Sequence, residues 1–483
     1  MVNTGKLYLD VAEGIAGSIR SGALARGDRV PSVREMARQR GVSMATVTQA
    51  YRWLEDARLI EARPRSGYFV AARPAALPEP DTSSPPGSSL PVATSSLSAR
   101  VMQLSLEPGM VSFGAACPGP ELFDQDRIRR AVTRAALKHR HQLASYADAT
   151  GQEPLRRAIA RHALAMGCQL DPAHIVVTNG CREAIVLCLR AVTQPGDVVA
   201  LESPTYFGLL EILRLLGLRA LEIPTHPRHG IALDALQFAL DTQPVKALLV
   251  VPTLSNPLGA SMPLPERRRL AQLAAERGLP VVEDAIYNDL SEQADRRRAV
   301  RSFDPSGHVM LCGSFSKTIA PGISLGWTDA GRWHAPVQQL KAATSGAQTA
   351  MLDMAMADLL GQPGNEANYR QLRSTIAGRV DEARRLIAQS FPRGTRVTDP
   401  PGGYILWVEL PAPIDSQQLF EACLQEHILI APGGLFSASD RYRHCIRLGV
   451  GGLWDETHRR ALCRVGELAV ALGAGASAAP AAA

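Results

Sequence analysis

The sequence predicts a multidomain chain: an N-terminal winged helix-turn-helix, then a large α/β body with a parallel sheet, ending in a smaller α+β unit. Three observations carry this prediction. Two helix signals near the N-terminus are joined only by Arg40-Gly41-Val42-Ser43, and two short apolar runs follow them. The stretch 74–98 then interrupts the chain with six prolines, many Ser and Ala, and few large apolar residues. Beyond it, short continuous apolar runs alternate with amphipathic helical ones, the pattern of strands covered on both faces by helices.

The first helix is expected over 7–21, with Val11, Ile15 and Ile19 on one face and Gly22 as its stop. In Pro31-Ser32-Val33-Arg34-Glu35, Ser32 is placed to cap the second helix. Glu35, three residues on, completes a capping box. Ser43 caps a third helix reaching Asp56, with Val47, Ala50, Tyr51 and Leu54 inward. Strands over 59–62 and 67–70 flank a basic wing, Arg63-Pro64-Arg65-Ser66.

The expected division is a head at 1–73, a linker at 74–103, a body at 104–472 and a disordered tail at 473–483. The body's large part spans about 120–345 and its small part about 373–472. In the large part the strand candidates are 175–178, 198–202, 247–251, 280–283, 309–312 and 323–327. After Arg373 a long helix precedes strands at 404–410, 428–430 and 445–448.

Charge is distributed unevenly. Of a net +6, residues 1–73 carry +5, from twelve Lys/Arg against seven Asp/Glu, which suits a polyanionic partner. No apolar run approaches the ~18 residues of a membrane span, and the first residues lack an export signal, so a cytoplasmic protein with no membrane partner is expected. The eight cysteines form no Cys-x-x-Cys pair or zinc spacing. They read as reduced thiols with no metal site, and Cys181 and Cys188 as core thiols.

The head resembles the GntR family of winged-helix regulators. The resemblance rests on Gly27-Asp28-Arg29-Val30-Pro31-Ser32-Val33-Arg34, Gly41-Val42-Ser43, Thr46-Val47, Ala50-Tyr51, Leu54 and Ser66-Gly67-Tyr68-Phe69-Val70. It implies that the third helix enters the major groove of double-stranded DNA and that Arg34, Ser43, Thr46 and Gly67 contact it. Met44 stands where that family often has a base-reading Arg.

In the body, polar motifs follow three of the expected strands: Ser255-Asn256-Pro257-Leu258-Gly259, Glu283-Asp284-Ala285-Ile286-Tyr287 and Gly313-Ser314-Phe315-Ser316-Lys317. Strand ends are where α/β sheets carry their sites. In this order and spacing the motifs resemble the fold type I pyridoxal-phosphate enzymes, the aminotransferase superfamily. That resemblance implies that Lys317 bonds the aldehyde of pyridoxal 5'-phosphate and acts as the catalytic base. It implies that Asp284 pairs with the pyridine nitrogen, that Asn256 and Tyr287 reach the ring's phenolic oxygen, and that Tyr206 stacks on the ring. Gly180 and Cys181 would offer helix amides to the phosphate, Ser314 a hydroxyl, and Tyr146 a contact from the partner subunit. Arg447 would grip an amino acid carboxylate. One departure stands out: in Pro321-Gly322-Ile323-Ser324-Leu325-Gly326, Ser324 replaces the Arg that normally clasps the phosphate.

A GntR-like head on an aminotransferase-like body is the layout of MocR-type regulators, which implies a domain-swapped homodimer. Three functions are compatible with these residues: a DNA-binding regulator that senses pyridoxal phosphate, an amino acid adduct of it, or both; a working aminotransferase that carries a DNA-binding head; and an apo structural regulator that has lost its cofactor.

Overall fold

The computed structural model describes residues 4–20, 23–25, 27–56, 59–63, 66–70, 77–93, 96–439 and 441–478, in two compact units divided after Ala76. The first unit contains helices α1 (Thr4–Arg20), α2 (Val33–Arg40) and α3 (Met44–Asp56) and an antiparallel pair, β1 (Ile60–Arg63) and β2 (Gly67–Val70). Ser32 caps α2 by accepting from the Glu35 amide at 3.2 Å, and Gly41 closes it in the left-handed conformation. The core is Val11, Ile15, Met36, Val47, Tyr51, Leu54, Ile60 and Val70, all buried. Tyr51 also donates from its hydroxyl to the Pro31 carbonyl at 2.5 Å, tying α3 to the approach to α2. The expected helix stop at Gly22, and Pro64 and Arg65 of the expected wing, lie outside the described residues.

The second unit begins earlier than the sequence suggested. Much of the expected linker is ordered against the body. Strand β3 (Leu90–Pro91) adds an antiparallel edge to the large sheet, the Ser83 amide donates to the Thr225 carbonyl, and the Val397 amide donates to the Pro78 carbonyl. Helix α4 (Ser96–Leu104) buries Val101. Composition alone misjudged this stretch, because its order comes from backbone pairing to an existing sheet and from a few apolar side chains, such as Val101, packed on the body's core.

Next in chain order are β4 (Val111–Ser112), α5 (Gln125–Lys138), α6 (Glu153–Ala163), β5 (Ile175–Thr178) and α7 (Gly180–Val192). They are followed by β6 (Val198–Ser203), β7 (Arg219–His226), β8 (Gly230–Ile231), β9 (Val245–Val250), β10 (Val281–Asp284), β11 (Val309–Ser314) and β12 (Gly326–Asp329). The sheet order is β3-β7-β6-β9-β10-β11-β12-β5. Strands β7, β6, β9, β10 and β11 are parallel, and β12 runs antiparallel between β11 and β5. The strand expected at 323–327 therefore starts late and runs in the opposite sense: Pro321–Ile323 is a 3-10 turn and Ser324 is left-handed at φ +51°. Strand β7 was not among the sequence candidates.

The small part is a four-stranded antiparallel sheet of β13 (Arg396–Val397), β14 (Ile405–Glu409), β16 (Ala431–Pro432) and β17 (Cys445–Gly449), while β15 (Ile428–Leu429) pairs with β4. Its long helix, Asn365–Ser390, starts before Arg373. The tail expected to be disordered from Gly473 is helical as far as Ala478, consistent with the high helix propensity of Ala. Residues 479–483 lie outside the described set. No described helix is long and apolar enough to cross a membrane.

Candidate functional site

The carboxyl ends of β5, β6, β9, β10 and β11 share one edge of the large sheet, and a cavity of about 280 Å³ opens there. Lys317, Asp284, Tyr287, Asn256, Tyr206, Gly180, Cys181, Ser314 and Arg447 all line it. Lys317 follows β11 and donates from Nζ to the Ala116 carbonyl at 2.8 Å and to Cys117 Sγ at 3.6 Å, so its amine projects into the cavity.

Asp284 ends β10 and is buried. Its Oδ1 accepts from the Cys181 thiol at 3.2 Å and from the Ile286 amide at 3.0 Å. Burial raises the carboxyl above its ordinary value, while those two hydrogen bonds and Lys317 pull the other way. Burial and the neighbouring Asp284 push the Cys181 thiol well up, so it remains protonated and able to donate. Cys181 is thus more than a core thiol.

Helix α7 follows β5 and points its first turn at the cavity. Asn179 provides no side-chain cap, so the leading amides of α7 are free for a ligand. Glycine is required where β12 crosses this turn: a Cβ on Gly326 would lie 2.6 Å from the Gly180 oxygen and 2.7 Å from the Cys181 nitrogen. The Ser314 hydroxyl lies 2.9 Å from the Leu325 carbonyl and also hydrogen-bonds Ser316, so much of its capacity is taken within the loop. Behind the site Glu202 accepts from the Val251 amide, and burial pushes its carboxyl up to about 8.

Arg447, on β17 opposite Trp407 of β14, is buried and donates through Nη2 to the Gly114 carbonyl. Its Nε and Nη1 have no partner. Burial lowers its pKa, offset by the nearby tyrosines and Cys117. Two buried, unmade donors on a guanidinium are costly, and a carboxylate is the kind of anion that would relieve that cost. Asn256 Oδ1 is likewise buried without a partner. Tyr146, by contrast, is fully exposed and does not line the cavity of its own chain. Sequence reasoning missed Ser316, Cys117 and Arg182, all of which line it.

In the head, Arg34 and Ser43 are exposed on α2 and before α3, and Thr46 is half-buried. Ser43 Oγ accepts from the Thr46 amide at 3.1 Å and lies 2.8 Å from Thr46 Oγ1, so the two form one polar cluster at the start of α3. Gly67 is exposed at φ +99°, a conformation that favours glycine.

Residues 120–465 match the family described as aminotransferase class I and II, and residues 7–70 match the bacterial regulatory proteins of the gntR family. The HTH-type transcriptional regulators YjiR and YdcR of Escherichia coli K12 are 35% and 33% identical, over 95% and 96% of this chain and 98% and 99% of theirs. The 2-aminoadipate transaminase of Thermus thermophilus is 30% identical over 76% of this chain and 92% of its own. Among solved structures, LysN, an alpha-aminoadipate aminotransferase from Thermus thermophilus complexed with N-(5'-phosphopyridoxyl)-L-leucine, superposes with a TM-score of 0.73 at 28% identity, covering 79% of this chain and 96% of that one. These likenesses imply pyridoxal 5'-phosphate, and the cavity suits it: it offers an amine, a buried carboxylate, free helix amides and unpaired guanidinium donors.

Proposed function

The chain belongs to the aminotransferase class I and II family and carries a gntR-family head, and from that premise we propose a DNA-binding transcription regulator whose body holds pyridoxal phosphate and responds to amino acids. The observation that carries this reading is a single cavity lined by Lys317, Asp284 and the half-satisfied Arg447, in a chain that also bears a helix-turn-helix. Bound pyridoxal phosphate supplies an aldehyde that captures primary amines and a ring that withdraws electrons from them.

The chain's own residues would divide the work as follows. Lys317 would hold the cofactor through its side-chain amine and serve as a base beside a bound amino acid. Asp284, fixed through Oδ1, presents its other oxygen to the protonated pyridine nitrogen. Asn256 and Tyr287 orient the ring's phenolic oxygen and Tyr206 covers a ring face. The amides of Gly180 and Cys181, with Ser314, receive the phosphate. Arg447 turns its free donors to the amino acid's carboxylate. In the head, Arg34, Ser43, Thr46 and Gly67 would contact duplex DNA.

This layout is MocR-type, in the cytoplasm, with a head (1–73) and body acting in a domain-swapped homodimer. The full exposure of Tyr146 favours the dimer, in which it would reach the partner's phosphate site. Ligand at the body would bias the arrangement of the heads and so change operator affinity. Measuring operator affinity of the purified protein with and without cofactor and each amino acid tests the proposal; identical curves under all conditions defeat it. The retained Lys317 and Arg447 also favour residual transamination, which a keto-acid assay would report.

A further inference from the structure

The departure at residue 324 leaves a charge problem. A Cβ placed on Gly180 would lie 3.5 Å from Ser324 Oγ, so residue 324 faces the first turn of α7, where the phosphate would sit. A hydroxyl there brings no positive charge to a dianion, and helix amides alone carry only partial charge.

Three cationic side chains line the cavity: Lys317, Arg447 and Arg182. Lys317 is committed to the aldehyde end. Arg447 is buried on the small sheet, tied to Gly114 and lying 5.4 Å from the Phe436 ring centroid. Arg182 remains. It is the third residue of α7, beside the free amides. Among the described residues no carboxylate pairs with it. The next acid along, Glu183, is instead held by Lys341 at 3.0 Å. The Arg182 guanidinium hydrogen-bonds the Tyr206 hydroxyl and lies 5.6 Å from that ring's centroid. Gly208 leaves room for this seat, because a Cβ there would come within 2.7 Å of the Tyr206 ring and 2.9 Å of Arg182 Nη2.

We infer that Arg182 supplies the guanidinium that the run Pro321–Gly326 lacks, clamping the cofactor phosphate from the helix side of the cavity while holding Tyr206 over the ring. The inference rests on the proposed cofactor binding. It makes Arg182 and Ser324 a compensating pair: the charge has moved from one wall of the phosphate site to the other.

The test compares two aldehydes that differ only in the phosphate. Apo full-length protein is titrated with pyridoxal phosphate and with pyridoxal, followed by visible absorbance and tryptophan fluorescence, for wild type, Arg182→Gln and Arg182→Gln/Ser324→Arg. Arg182→Gln weakens pyridoxal phosphate roughly ten- to a hundredfold, the loss expected of one charge-assisted hydrogen bond, and leaves pyridoxal unchanged. Adding Ser324→Arg recovers the phosphate-dependent affinity. Arg182 is exposed, so its replacement should leave folding intact. A variant that binds both aldehydes as wild type does overturns the inference. So does one that loses both alike, or one that keeps both and changes only its choice of amino acid. If wild type binds neither aldehyde, the cofactor reading itself falls, and the inference with it.

Discussion

The Cys181 thiol donates to Asp284 Oδ1 at 3.2 Å, linking the first turn of α7 to the carboxylate at the end of β10. The turn proposed to receive the phosphate and the acid proposed to meet the ring are thereby held in one register. Cys181→Ala should weaken pyridoxal phosphate by about 1 kcal/mol, the worth of one ordinary hydrogen bond, and Cys181→Ser should not. The same acid sets a pH dependence. Burial raises the Asp284 carboxyl above 3.8 against the pull of its donors, so its ionised form is lost at a less acidic pH than for an exposed aspartate. Cofactor affinity should fall as pH drops through that raised value, and Asp284→Asn should abolish this dependence along with most of the affinity. Absorbance titrations across pH measure both.

Arg447 has two buried donors without partners. Arg447→Ala should weaken the spectral response to amino acids by about 2–5 kcal/mol while amines lacking a carboxylate respond as in wild type. Arg447→Lys should not restore it, because an ammonium cannot reproduce the planar fork.

Lys341 is fully buried and donates to both oxygens of Glu183, at 3.0 and 3.2 Å, and Glu183 also accepts from the Asn179 amide at 2.5 Å. This pair anchors the start of α7. Lys341→Ala leaves a largely buried carboxylate without its counter-charge, though still hydrogen-bonded to Asn179 and Ser345, and should cost about 3 kcal/mol of stability by urea unfolding.

On the head, Arg34 is exposed on α2. Arg34→Ala should weaken binding to duplex DNA. If its partner is a phosphate, the slope of log affinity against log salt falls by about 1 and all sequences are affected alike. Fluorescence anisotropy over a salt series reads this directly.

Much of this site was legible in the sequence because its residues follow short apolar strands. A polar residue immediately after such a run, as with Asp284 and Lys317, has few places to go except the sheet edge. The capping pair Ser32 and Glu35 was legible for a similar reason, since its geometry is local. Arg182 was not, because an arginine in the first turn of an amphipathic helix has no distinguishing pattern; only its place in the same cavity as Ser324 gives it meaning. Ile323-Ser324-Leu325 looked like part of a strand because it is apolar on either side of one serine. Its backbone instead turns left-handed at Ser324, which hydropathy does not encode. The order of 77–93 depends on partners such as Thr225 and Val397, and that of α4 on Glu211 and Glu421, each more than 100 residues away in the chain.

Lys317 and Asp284 are proposed to hold one pyridoxal phosphate in a chain that also bears a gntR-family head. Reduction with borohydride of protein incubated with the cofactor, followed by peptide mass spectrometry, tests it most directly. The expected result is a phosphopyridoxyl group on Lys317, absent from Lys317→Ala and diminished in Asp284→Ala. A group spread over surface lysines, with Lys317 unmodified, would contradict the account.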